Sequence, residues 1–209
     1  MTLFKRCKLN IMISLLASIA LIDTSAAESN IGKQMADAAR CLECHGHDGI
    51  SSDLKIPNHA GQQAGYLIKQ IRDFQSGARQ HEIMQRMVED LSEVEIVNIA
   101  NFFATLKPQT SAESKTQPIA ENLIQQGDPS RSLPACSGCH GLQSVGASQN
   151  QQFYPRLAGQ RHHYLRNQLY AWKFAERTNS PDGVMNKIAK ILSDAEIEAL
   201  GDYLAELSP

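Results

Sequence analysis

An all-α fold made of two tandem domains is what the sequence predicts, and three observations carry it. The chain repeats itself: Pro57-Asn58-His59-Ala60-Gly61-Gln62 corresponds to Pro155-Arg156-Leu157-Ala158-Gly159-Gln160, and Tyr66-Leu67-Ile68-Lys69-Gln70-Ile71 to Tyr164-Leu165-Arg166-Asn167-Gln168-Leu169. A period of about a hundred residues is that of a small domain, too long for a solenoid unit. Ser92-Glu93-Val94-Glu95 and Ser193-Asp194-Ala195-Glu196 are both capping boxes, serine at the N-cap and glutamate three residues on. Behind them Ile96, Ile99, Ala100 and Phe103, and Ile197, Leu200 and Leu204, recur at helical spacing, with no convincing strand alternation anywhere.

Taken in order, residues 1–27 read as an export signal. Lys5, Arg6 and Lys8 precede an apolar run from about Ile11 to Ile22, and Ser25-Ala26-Ala27 supplies a small-residue cleavage site. The run is short of the roughly 20 residues a spanning helix needs, so cleavage is expected rather than a permanent anchor. A first domain over 28–106 then opens with a short helix leading to Cys41, a second helix after Gly61 and a capped closing helix. Residues 107–120, polar and bracketed by Pro108 and Pro118, read as a linker. The second domain, 121–209, repeats the series with its middle helix after Gly159.

Charge excludes more than it suggests. The chain has 20 Lys+Arg and 22 Asp+Glu, net −2; without residues 1–27 the net is −4, which offers nothing to nucleic acid and suits a mildly acidic surface. Removing 1–27 also removes Cys7, one of five cysteines. The other four lie in Cys41-Leu42-Glu43-Cys44-His45 and Cys136-Ser137-Gly138-Cys139-His140.

That five-residue pattern is a covalent c-type haem site: two thiols one helical turn apart add to the two vinyl groups of one haem, and the adjacent histidine reaches the iron. Disulfides within or between the pairs leave the repeated histidine unexplained. Zinc knuckles place their CxxC pairs roughly 15–20 residues apart, far closer than here. The cofactors expected are two covalently bound haem c groups, with iron held by His45 and His140. Each half is small enough that its own side chains make a marginal core, so haem and fold should depend on one another.

The sixth ligand separates a carrier from a catalyst. Aligned on Ser92 and Ser193, Met84 and Met185 occupy the same register, eight residues before each serine, whereas Met87 falls opposite Ile188 and Met35 has no counterpart. Met84 and Met185 are therefore the expected distal ligands, on loops free to bring a thioether over the haem. Of the remaining histidines, His47, His59, His162 and His163 align with Leu142, Leu157, Ala64 and Gly65, and His81 falls at a short insertion in the second half. None is duplicated, although His81 stays close enough to Met84 to be a minor alternative. Two readings stay open for Gln62/Gln160, Tyr66/Tyr164 and Gln70/Gln168: hydrogen bonds to propionates, or ordinary packing at a helix start. Arg79 and Arg177 are open between propionate, partner and solvent.

With CxxCHG in both halves, Ile56-Pro57-Asn58, Tyr154-Pro155-Arg156-Leu157-Ala158-Gly159-Gln160, the methionine segments and Leu-Ser before each last helix, nearly the whole chain resembles the dihaem cytochromes c4. The resemblance implies two class I cytochrome c folds with propionate edges facing across the interface. It implies a periplasmic shuttle, loosely membrane-associated in many members, between a quinol-oxidising respiratory donor and a terminal oxidase. Carried over by position, Cys41, Cys44, Cys136 and Cys139 form the thioethers, His45 and His140 are proximal, and Met84 and Met185 distal. His59 departs from the expected leucine and places a titratable ring by the first haem, with a pH-sensitive potential as the hypothesis.

The function expected is single-electron transfer without catalysis, since two filled His/Met coordination spheres leave no place for substrate. The rivals are a dihaem enzyme, either a peroxidase or a thiosulfate-oxidising dehydrogenase, and an electron-transfer subunit fixed to a dehydrogenase.

Overall fold

The computed structural model describes residues 24–110 and 116–208. The export signal expected over 1–27 lies outside it apart from its last four positions. Among the described residues there are ten α-helices, in two series of five. In the first, α1 is Thr24–Ala38, α2 Cys41–His45, α3 Ala64–Gln75, α4 Glu82–Val88 and α5 Glu93–Thr105; in the second, α6 is Pro118–Gln125, α7 Ser137–His140, α8 His162–Lys173, α9 Val184–Ile191 and α10 Asp194–Glu206.

The two series pack alike. In each, the opening and middle helices lie on the closing helix, α1 and α3 on α5, α6 and α8 on α10, while α4 and α9 lean on α3 and α8. The closing helices form because their first turns are satisfied locally: Ser92 and Ser193 accept from the backbone N–H of Glu95 and Glu196, whose carboxylates accept in return from the serine N–H. Their inner faces bury Ile96, Ile99, Ala100, Phe102 and Phe103, or Ile197, Leu200 and Leu204. One core collects Ile99, Ala100, Phe102 and Phe103 with Ala36, Leu42 and Leu67; the other joins Ile197, Leu200 and Leu204 to Ala120, Leu123, Ile124, Leu133, Leu165 and Leu192. Met35 packs on the first core.

Three expectations need correction. A shorter helix was expected before each CxxCH; α6, with 8 residues, is one, but α1 has 15. It crosses α5 at Gly32, where a β-carbon would strike the carbonyl of Asn98 and the Cβ of Phe102, so a glycine that weakens the isolated helix permits the contact that holds it. Strands were not expected, but β1 (Ala147–Gln149) and β2 (Gln152–Tyr154) form an antiparallel hairpin turned by Asn150 and Gln151, both at positive φ (48° and 64°). A two-residue turn of this hand is ordinarily signalled by glycine, and here the second residue is glutamine. Finally, Met84 and Met185 stand not on loops but in the first turns of α4 and α9, because local acceptors start those helices there: His81 Nδ1 takes the Met84 N–H at 3.3 Å, and Ser180 Oγ the Met185 N–H at 3.2 Å. Within the segment read as a linker, Pro118 already begins α6 and Ala120 is fully buried.

In the second half the capping-box glutamate has a further role. Glu196 accepts from Arg131 Nη2 at 2.6 Å and Nη1 at 3.2 Å, and Arg131 Nε donates to Asp128 at 2.6 Å. Hydrogen bonding to Arg131 holds the Glu196 carboxyl below its ordinary range. A carboxylate depressed on folding adds stability above its unfolded pKa of about 4.3 and loses it as pH falls through the lower folded value. Arg131→Gln should therefore be less stable than wild type near neutrality, with the gap closing in acid; chemical denaturation at several pH values measures it.

Candidate functional site

Each CxxCH sits on a helix of one turn that glycine terminates. Gly46 and Gly141, at φ +84° and +80°, return their N–H groups to Leu42 and Ser137 at 3.0 Å each. A β-carbon on Gly46 would strike the carbonyl of Ile50. The histidine is thereby left at a sharp helix end pointing into its half, and His45 and His140 are 7% and 8% exposed. All four thiols are unbridged. Burial pushes Cys41 and Cys136 up to about 11, so they are thiols at neutral pH.

The state of the histidines follows from their partners. His45 Nδ1 lies 3.0 Å from the carbonyl of Pro57, and His140 Nδ1 3.0 Å from that of Pro155. A carbonyl only accepts, so Nδ1 carries the proton in both rings and the lone pair is on Nε2. Burial holds both rings below the ordinary histidine range, hence neutral. A neutral imidazole anchored through Nδ1–H, with its lone pair left on Nε2, is a prepared metal ligand.

His59 does lie beside the first site: its ring stacks on His45 at 4.0 Å between centroids and 28° between planes. Burial first, then His45 and Arg79, hold its pKa well below the ordinary histidine range. Of the other histidines, His47 is exposed, His81 caps α4, and His162 Nδ1 pairs with Asp202 at 2.6 Å. Met84 and Met185 are half-buried, as is Met87.

Between the halves the polar side chains left open by the sequence meet one another. Arg79 donates to Gln70 (2.9 Å) of its own half and to Tyr164 (3.1 Å) and Gln168 (2.8 Å) of the other; Arg177 donates to Gln168 (2.6 Å) of its own and to Tyr66 (3.3 Å) and Gln70 (2.7 Å) across the interface. Each guanidinium also lies over a ring, Arg79 over Phe74 at 4.7 Å and Arg177 over Trp172 at 4.2 Å. Two cations share the same two amide acceptors, and among the described residues no carboxylate hydrogen-bonds to either. Burial alone would raise the Tyr164 phenol; these arginines outweigh it and hold the phenol below its ordinary value.

A second pair of contacts is equally reciprocal. Gln160 Oε1 accepts the Asn58 N–H at 2.7 Å and its Nε2 donates to the Asn58 carbonyl at 2.9 Å; Gln62 makes the same pair with Arg156, at 2.7 and 3.0 Å. The hairpin adds Phe153, packed on Gly65 of α3, and Pro108 and Gln109 lie against Gly61 and Gly159. In the sequence Gln62 and Gln160, and Asn58 and Arg156, are equivalents, yet nothing there sets them facing; partners some hundred residues apart leave no local pattern.

The chemistry of the donor set fits covalent haem. Each half offers two free thiols beside a neutral histidine, and the interface offers two cations, Arg177 buried and Arg79 half-buried, with no carboxylate among the described residues hydrogen-bonded to them, a want the carboxylates of haem would supply.

Residues 133–208 match the family model described as Cytochrome c. Cytochrome c4 from Thiocapsa roseopersicina is 38% identical over 189 residues, 88% of this chain and 97% of the relative. The thiosulfate dehydrogenase electron acceptor of Thiomonas intermedia is 35% identical over 191 residues, 88% and 87% of the two chains. Among solved structures, reduced recombinant cytochrome c4 from Pseudomonas stutzeri superposes with a TM-score of 0.79 at 31% identity, covering 86% of this chain and 98% of the other. Thiosulfate dehydrogenase from Marichromatium purpuratum superposes with a TM-score of 0.74 at 33% identity, covering 85% of this chain and 40% of that one.

Proposed function

Given that the chain belongs to the cytochrome c4 family and is a dihaem electron-transfer cytochrome, with class I cytochrome c folds and two covalently bound haem c groups, we propose that it is a periplasmic carrier of single electrons whose two irons are both His/Met-ligated. We take 28–106 and 121–209 as the two haem-binding domains. Cys41 and Cys44 attach one haem and Cys136 and Cys139 the other; His45 and Met84 are the axial ligands in the first half, His140 and Met185 in the second.

The observation that carries this reading is the duplication of the neutral, Nδ1-anchored histidine together with a methionine in the same register before each last helix. Haem bound in this way supplies a one-electron iron couple. The chain's task is to keep that couple closed to substrate and to hold its ligands still in both oxidation states. Proline carbonyls orient the imidazoles, the first turns of α4 and α9 present the thioethers, and Arg79 and Arg177 balance haem carboxylates in the interface. With the ligand positions filled alike in both halves, neither iron is equipped for peroxide or thiosulfate chemistry, and the protein is not itself an enzyme.

Its partners are redox proteins. The reading favoured by the cytochrome c4 relatives is a respiratory quinol-oxidising donor and a terminal oxidase, with peripheral association at the membrane; no described helix is long and apolar enough to cross one. A second reading is favoured by the relatives named thiosulfate dehydrogenase electron acceptor, which match at 35% and 36% identity. In that case the donor is a thiosulfate-oxidising enzyme.

Three results test these assignments. Cys136→Ala/Cys139→Ala should lower the haem count from two per chain to one by mass, the first half keeping its spectrum. Met84→His and Met185→His should each remove one of two methionine-to-iron charge-transfer bands and lower the potential of that haem, because the softer thioether favours ferrous iron; unchanged bands would refute the distal assignments. Stopped-flow reduction by a quinol-oxidising complex beside a thiosulfate dehydrogenase distinguishes the donors, the physiological one being expected to react at least tenfold faster, a preference of about 1.4 kcal/mol.

A further inference from the structure

We propose that Gln62 and Gln160 are crossed positioning residues, each tuning the iron held by the opposite half through the peptide that anchors that half's histidine. This rests on His45 and His140 being iron ligands.

The carbonyl of Pro57 and the N–H of Asn58 belong to one planar peptide unit. The carbonyl accepts from His45 Nδ1 at 3.0 Å, and the N–H donates to Gln160 Oε1 at 2.7 Å. The pattern returns in the other direction: the carbonyl of Pro155 accepts from His140 Nδ1 at 3.0 Å, and the N–H of Arg156 donates to Gln62 Oε1 at 2.7 Å. Hydrogen bonds at the two ends of one amide polarise it in the same sense, so an acceptor on the N–H makes the carbonyl a better acceptor for the imidazole. The imidazole becomes more electron-rich and a stronger donor to iron. A stronger donor favours the ferric state, so each glutamine lowers the potential of the haem in the other half.

The side chains suit this task. A primary amide can accept from a residue's N–H and donate to its carbonyl together, and both glutamines do so, closing on Arg156 O at 3.0 Å and Asn58 O at 2.9 Å. They are 5% and 7% exposed, so water does not compete. Each Oε1 takes a second N–H at the entrance to a helix, Gln62 from Gln63 at 3.0 Å and Gln160 from Arg161 at 2.9 Å, which fixes the amide plane. Asn58 is held besides by Ser51 N–H on its Oδ1 and by donation to Gln109 and Gly159, all at 3.0 Å.

Glue between the halves would have the same contacts but a different signature. The test is a haem-resolved redox titration of Gln160→Met and Gln62→Met, which keep length and lose the amide, with each potential assigned to its half by NMR of the haem methyls. The expected result is crossed: Gln160→Met raises the potential of the first-half haem and leaves the second in place, and Gln62→Met does the reverse. Where methionine is not tolerated, Gln→Asn falls one methylene short of the contact and should give the same crossed shift. Movement of the same-half haem alone, of both equally, or of neither overturns the proposal. Methionine bands recorded on the same samples separate the two levels: intact bands with an unmoved opposite potential defeat the relay alone, whereas a wild type lacking the bands defeats the His/Met assignment.

Discussion

A buried imidazole bonded through Nδ1 to a proline carbonyl is the constraint on which the rest of this molecule hangs. It fixes the tautomer and leaves the lone pair on the second nitrogen, while burial keeps the ring neutral, and it does so once in each half at the same 3.0 Å. Without it the burial of His45 and His140 would be an uncompensated cost. With it, the one-turn helix that carries the motif and the extended Ile-Pro-Asn or Tyr-Pro-Arg segment opposite become the two jaws of one clamp. The remaining helices support that clamp: the turns after it return Gly61 and Gly159 N–H to the ends of the closing helices, at Phe103 and Leu204.

The interface follows from the same segments. Because each histidine-bearing clamp ends in a Gly-Gln turn, and each turn meets the clamp opposite, the halves cannot be docked independently of the residues that set ligand geometry. The arginine pair a little further out imposes a second condition. Two like charges that share acceptors in a desolvated place repel each other unless anions arrive. Completion of the cofactor complement and closure of the interface thus favour each other.

Much of this was legible in the sequence because it is local. The two CxxCH motifs, the serine caps with their glutamates and the helical spacing of Ile96 or Ile197 are relations within a few residues, and one copy checks the other. The register of Met84 and Met185 was readable for the same reason. Their seats in helical first turns were not, since His81 and Ser180 as caps depend on how the chain arrives. The hairpin escaped notice because Asn150-Gln151 carries positive φ without glycine. His59 was placed correctly beside the first site, but its charge state is set by burial among His45 and Arg79, which composition does not reveal. The crossing of Gln62 with Arg156 and Gln160 with Asn58 joins positions that the repeat marks as equivalents, and equivalence says nothing about contact.

The reciprocal glutamines have one more consequence. A surface in which residue i meets j while j's counterpart meets i's is self-complementary, the kind of patch by which identical subunits associate about a two-fold axis. The face between the halves has this pseudo-two-fold character, and the covalent tether keeps its two complementary patches at high effective concentration. Seen so, the chain is a pseudo-homodimer threaded on one string.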